Sequence, residues 1–141
     1  MSDKITVQTT VAAPLAAVWQ AWNTPEDIVQ WNAASDDWHT TSAGVDLRPG
    51  GSFTARMEAK DGSFGFDFAG TYTSVQPERH LAYHMADGRE VTVDFLPGPD
   101  GVTVRETFDA ETENSPELQR AGWQAILDNF ARHVLGKTGQ A

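Results

Sequence analysis

The chain has 141 residues, 40% of them hydrophobic, with five tryptophans; that is enough for one domain with its own core, and too apolar for a disordered segment. A formal charge of −10, with ten scattered basic residues, argues against nucleic acid and anionic membranes as partners, because both need a basic patch. The absence of cysteine excludes disulfides and thiolate metal sites, and the acidic balance favours partners that are uncharged, apolar or basic.

The N-terminus, Met1-Ser2-Asp3-Lys4-Ile5-Thr6, lacks the apolar stretch of a signal peptide, and no later run is long enough to span a bilayer, so a soluble cytoplasmic protein is expected. Ile5, Val7, Thr9 and Val11 alternate with Thr6, Gln8 and Thr10, the pattern of a strand with one buried face. Pro14 then opens a helix whose Leu15, Val18, Trp19 and Trp22 share an apolar side. Thr24-Pro25-Glu26-Asp27 has the spacing of a capping box and starts a short helix that should end near Trp31. The stretch from Trp31 to His39 is polar but bracketed by Trp31 and Trp38. Turn chemistry recurs at Arg48-Pro49-Gly50-Gly51, Asp61-Gly62, Asp87-Gly88 and the Pro97–Gly101 segment. Between these turns lie period-two runs through Phe53, Ala55 and Met57, Phe64, Phe66 and Phe68, Leu81, Tyr83 and Met85, Val91, Val93 and Phe95, and Val102 and Val104. Strands joined in this way make an antiparallel meander.

From Ser115 the pattern changes to helix. Ser115 offers an N-cap hydroxyl and Pro116 suits the first helical position. Leu118, Trp123, Ile126, Leu127, Phe130, Val134 and Leu135 recur largely three or four residues apart. Arg132, His133 and Lys137 suit the C-terminal end of the helix dipole, and Gly136 can end it. This face needs a broad apolar partner, which the strands supply. The expected fold is α+β: a curved antiparallel sheet of six to seven strands wrapped around a long C-terminal helix, with two short helices after the first strand. Residues 1–141 are read as one domain.

The chain resembles the START-like, helix-grip superfamily, and within it the family of homologues of the activator of heat-shock protein 90 ATPase. The resemblance is carried by Ala13-Pro14-Leu15-Ala16-Ala17-Val18-Trp19-Gln20-Ala21-Trp22 and Thr24-Pro25-Glu26-Asp27-Ile28-Val29-Gln30-Trp31. It continues through Asp46-Leu47-Arg48-Pro49-Gly50-Gly51-Ser52-Phe53, Gly70-Thr71-Tyr72-Thr73-Ser74-Val75 and Gly122-Trp123-Gln124-Ala125-Ile126-Leu127. It implies a small stand-alone bacterial protein with a cavity between sheet and long helix. Superfamily relatives bind lipids, hormones or polyketides, a few are cyclases, and they share no catalytic motif. The co-chaperone that names the family carries a further N-terminal domain, for which this chain has no length. Fold alone does not assign a function.

Three groups are candidates. The first is an apolar ligand-binding set: Trp31, Trp38, Phe53, Met57, Phe66, Tyr83, Met85, Phe95, Trp123 and Leu127. Pockets are mostly apolar and methionine adapts to varied shapes, but plain core packing uses the same residues. The second is Asp36 with His39, three residues apart, which form either an acid–base pair at the cavity mouth or an ordinary turn. The third is Glu106, which shares a strand face with Val102 and Val104. A bulge or strand end that turns it to water is expected; the alternative is a polar spot in the pocket, with an arginine as partner.

His80 and His84 would lie about 13 Å apart on a strand, too far for one ion. No nucleotide-binding loop is present, so neither metal nor cofactor is expected. The leading expectation is a protein that binds a small, largely apolar molecule. The alternatives are a cyclase or hydrolase-like enzyme using the same cavity, and a chaperone-interaction module.

Overall fold

Alternating valine and threonine make Lys4–Val11 the first strand, β1, and the helical spacing that follows makes α1 (Leu15–Asn23) and α2 (Pro25–Trp31). Six strands come next: β2 (Trp38–Val45), β3 (Ser52–Ala59), β4 (Gly65–Gln76), β5 (His80–Met85), β6 (Glu90–Gly98) and β7 (Gly101–Asp109), before α3 (Pro116–Thr138). The computed structural model describes residues 4–33, 35–85, 87–112 and 114–138. Met1–Asp3, on which the reading against a signal peptide rests, and Ala34 in the tryptophan-bracketed stretch lie outside them.

The strands form one antiparallel sheet in the order β1-β7-β6-β5-β4-β3-β2. Each of β2 to β7 pairs with its neighbour in sequence, and β1 adds to the outer side of β7. Gly101 shows why glycine ends the β6–β7 hairpin. Its φ is 127°, and a Cβ there would lie 2.1 Å from the carbonyl oxygen of Val11. Register shifts between Thr40 and Ser42 in β2, and between Tyr72 and Ser74 in β4, each insert an extra residue. Such bulges bend a strand and increase its twist, and here they curl the sheet toward α3.

Leu127, Phe130 and Val134 of α3 are fully buried and join Ile5, Val7, Val104 and Phe108 in one core. The helix also satisfies the free edge of β1: Arg120 donates to the Thr6 carbonyl at 2.7 Å and Gln124 to the Gln8 carbonyl at 3.0 Å. These acceptors would otherwise invite another strand. At its start, the Leu118 amide donates to the Ser115 hydroxyl at 3.1 Å, the cap that the sequence foretells.

Four local expectations change. Leu118 is 60% exposed, so the buried stripe begins one turn later than its spacing suggests. Gly136 lies inside α3, which runs on to Thr138. Phe64 precedes β4 and faces solvent. The capping box does not form: the Thr24 hydroxyl donates back to the Gln20 carbonyl at 2.7 Å, and Asp27 turns inward. There Asp27 accepts hydrogen bonds from His133 Nε2 at 2.8 Å and Lys137 Nζ at 2.8 Å. One buried carboxylate thus ties α2 to two consecutive turns of α3.

Candidate functional site

Between the concave face of the sheet and the N-terminal half of α3 the side chains leave a pocket of about 240 Å³. Its floor is Leu81, Tyr72 and Tyr83; Trp123 and Ile126 close one side, and Met57 and Phe66 stand nearer the rim. Trp22, Phe53, Phe68 and Trp123 are large enough to be core residues, yet all remain half-buried because they border this space. Aromatic contacts hold the walls. Trp123 stacks on Phe108 with centroids 3.8 Å apart, and Phe53 meets Tyr83 edge-on at 4.5 Å.

The close approach of Phe53 and Tyr83 depends on Gly70 of β4. A Cβ at that residue would lie 2.7 Å from the Phe53 ring, 3.0 Å from the Tyr83 ring and 3.1 Å from the His84 carbonyl. Gly70→Ala should therefore destabilise the protein by about 1–3 kcal/mol, the usual cost of overpacking, and displace Phe53 toward the pocket. Urea denaturation measures the first effect and ring chemical shifts of Phe53 the second. An unchanged midpoint would show that the wall relaxes freely.

Among the described residues of the lining, Glu106 is the one with an acidic or basic side chain. It pairs in unbroken register with Val7 of β1 and Val93 of β6, so the expected bulge is absent. Strict alternation carries it inward beside Val104 and Phe108, and only 5% of it is exposed. No arginine meets it, and among the described residues its carboxyl group has no hydrogen-bond partner. Burial alone pushes its pKa up from 4.5 to about 8. The acid therefore keeps its proton at neutral pH and presents both a donor and an acceptor to the pocket. The Tyr83 hydroxyl is also pushed well above its ordinary range, first by burial and then by Glu106 and Tyr72. Tyr72 rises to about 12 by burial and the nearby charge of Asp46. Both phenols stay neutral, so the polar spot consists of one acid and two hydroxyls in an aromatic enclosure.

The sequence-derived apolar set divides. Trp31, Phe53, Met57, Phe66, Tyr83 and Trp123 line the pocket. Met85, Phe95 and Leu127 are buried without reaching it: Phe95 packs edge-on against Trp19 and Trp22, and Leu127 is fully enclosed. Their parity is right, but neighbouring side chains fill the space above them. Trp38 lies outside, against Phe64 and Phe66. Sequence reasoning missed Trp22, Ile28, Asn32, Phe68 and Tyr72 as lining residues. The apolar spacing of α1, α2 and β4 pointed toward Trp22, Ile28, Phe68 and Tyr72, and no sequence signal marked Asn32.

Asp36 and His39 line a separate polar recess with Trp38, Lys60, Arg132 and His133. Trp31 stands between this recess and the apolar pocket. Asp36 is exposed, and no hydrogen bond joins it to His39. The segment is built as a turn, with the Ser35 hydroxyl donating to Asp37 and the Trp38 amide donating to the Ser35 carbonyl at 3.3 Å. The acid–base pair is not assembled, and neither residue reaches Glu106. Among the described residues, no three histidine or acidic side chains are grouped to hold a metal ion. No helix there is long and apolar enough to cross a membrane.

A curled seven-stranded antiparallel sheet gripping a long C-terminal helix, with two short helices after the first strand, defines a helix-grip, START-like protein. Residues 12–134 match the family model described as Activator of Hsp90 ATPase homolog 1-like protein, and the chain belongs to that family. It is 52% identical to an AHSA1-like protein from Aeromonas hydrophila solved by NMR, with a TM-score of 0.90 over 99% of this chain and 96% of that one. A protein from Cytophaga hutchinsonii is 43% identical, with a TM-score of 0.82 over 98% and 96% of the two chains. One from Nitrosomonas europaea shares the fold at 20% identity, with a TM-score of 0.81 over 95% of each chain. No curated protein matches.

Proposed function

We propose that the protein binds a small, largely apolar molecule in the pocket between the sheet and α3. The observation that carries this reading is the wall of half-buried aromatic side chains around unfilled space. A protein interior is normally packed to crystal density, and rings of this size are normally enclosed. Here Trp22, Phe53, Phe68 and Trp123 have apolar surface left to bury. Each Å² covered by a ligand contributes about 25 cal/mol.

The test uses Met57. Its sulfur accepts from Asn32 Nδ2 at 3.3 Å and from the Thr40 hydroxyl at 3.4 Å, while its side chain borders the pocket. Met57→Trp should direct added volume into that space. Binding of a hydrophobic fluorescent probe should then weaken by about tenfold, roughly 1.4 kcal/mol. The melting temperature without probe should fall by only a few degrees, because open space accepts volume that a packed core resists. The probe should raise the wild-type melting temperature, as any ligand of the folded state does. No probe binding, together with a sharp loss of stability in Met57→Trp, would make the space ordinary core. Exposed Phe64 and Phe66 beside Trp38 would then be the surface to test for a protein contact.

A further inference from the structure

We infer that the molecule this pocket takes is an organic ammonium: a protonated or quaternary amine on a one-ring or short-chain apolar body, with its cationic head on the Glu106 carboxylate. This rests on the pocket reading above and specifies its ligand class.

Glu106 is a buried acid that lines the space, and among the described residues no basic side chain lines it with Glu106. Buried carboxylates in folded proteins are paired or hydrogen-bonded, because an isolated one is costly. The helices bring only uncharged residues to the lining, as do β2 and β3; the titratable neighbours are Tyr72 of β4 and Tyr83 of β5. Both phenols are neutral, so an ionised Glu106 is paired only by a charge that arrives with the ligand.

The rest of the wall suits the same guest. Eight aromatic side chains border the pocket, among them Trp22, Trp31 and Trp123. Aromatic faces carry negative potential and attract cations, most strongly when water is excluded. A carboxylate ligand would meet those faces with the wrong sign, and only the proton that Glu106 keeps at neutral pH would hold it at the acid. A neutral alcohol could hydrogen-bond to the acid but would gain neither an ion pair nor the attraction of the aromatic faces. The formal charge of −10 also draws cations toward the protein and repels anions. The volume, about 240 Å³, lies below the ~300–1,000 Å³ of pockets that take drug-sized ligands, which limits the guest to a small body.

Binding has a defined proton balance. Below the Glu106 value of about 8 the free protein holds the acid protonated. Docking of an ammonium ion expels that proton to solvent and leaves an ion pair: carboxylic acid plus ammonium gives carboxylate–ammonium pair plus a free proton. Affinity should therefore rise with pH and level off once Glu106 is already ionised. A quaternary head has no proton of its own, so with such a probe Glu106 is the source of the slope.

Three probes with one phenylbutyl body separate the possibilities by calorimetry near neutral pH: phenylbutylamine, phenylbutanol and phenylvalerate. Phenylbutyl-trimethylammonium supplies the pH series. The amine should bind at least about tenfold more tightly than the alcohol, and the carboxylate more weakly than both. Glu106→Gln should bring the amine down to the alcohol's affinity and abolish the pH slope, while alcohol binding persists. Glu106→Leu serves as a second variant with the same expectation, and circular dichroism confirms that each is folded. Equal binding of amine and alcohol, or an amine affinity untouched by Glu106→Gln, overturns the ammonium assignment and leaves the pocket standing as a neutral-ligand site. If none of the three probes binds, the pocket reading and the assignment fall together.

Discussion

Glu106→Gln should make the protein more stable than the wild type in alkaline solution, by an amount on the order of 4–5 kcal/mol. Folding holds the Glu106 proton up to a pH of about 8, against a starting value of 4.5. Between those values the unfolded chain gives up the proton while the folded chain keeps it. Stability linked to this group is therefore fully present below about pH 4.5 and declines as pH rises, by up to 1.36 kcal/mol for each pH unit. Above about 8 the folded form ionises as well and the loss levels off. Glutamine keeps the shape and a polar end without a charge to bury, so its curve should lack this decline. Urea midpoints of wild type and variant across neutral pH give the comparison directly. Other titrating groups, including the histidines, cancel in the difference. Parallel curves would mean that the Glu106 carboxylate is hydrated in the folded protein, and the pocket would then be wet at its floor.

Asp27→Ala should act in the opposite direction and across the whole neutral range. Asp27 is 3% exposed and bonded to both His133 and Lys137. Burial alone would raise its pKa, but the hydrogen bonds from Lys137 and His133, with their charges, carry it below 3.8. Removing the carboxylate strands His133 in a nearly buried position, whereas Lys137 is half exposed and can turn to water. The expected loss is about 3 kcal/mol, the low end for breaking a buried ion pair, because one partner keeps its solvent. A group with a lowered pKa contributes stability above its unfolded value, and that contribution disappears as pH falls through the folded one. The difference between wild type and variant should thus be constant at neutral pH and shrink only below about pH 4. A variant as stable as the wild type at neutral pH would mean that α2 and α3 are held together by Trp31 and Phe130 packing alone.

Much of the architecture was legible because strand and helix periods are local. Val7 and Val104 alternate with polar residues and turn inward on the paired strands β1 and β7; Leu127, Phe130 and Val134 repeat at helical spacing and enter the core. Ser115 caps α3 as a serine before proline should. Gly101, the first residue of β7 after the turn from β6, takes the positive φ of 127° that glycine adopts most readily. Each of these outcomes is decided by neighbours a few residues away or by a face that must leave water.

The site was legible only in outline, because its content depends on what lies opposite. Period two gives Phe95 and Phe53 the same kind of inward face, but Trp19 and Trp22 cover Phe95 whereas Phe53 borders open space. Asp36 and His39 looked promising through proximity in sequence, yet the turn sends them to another recess. Asp27 had the spacing of a cap, and two residues more than a hundred positions away in sequence claim its carboxylate instead. Glu106 is the sharpest case. Its parity pointed inward, and the known cost of burying an acid argued for a bulge that does not exist. Local pattern alone set which residues turn away from water, and with them the strands, the turns, the long helix and the helix-grip order of elements. Tertiary structure decided which of those residues touch one another and which border a void. Hydrophobic pattern specifies a face, whereas a cavity and the charge state of an acid inside it are set by the volume and partners that distant segments bring.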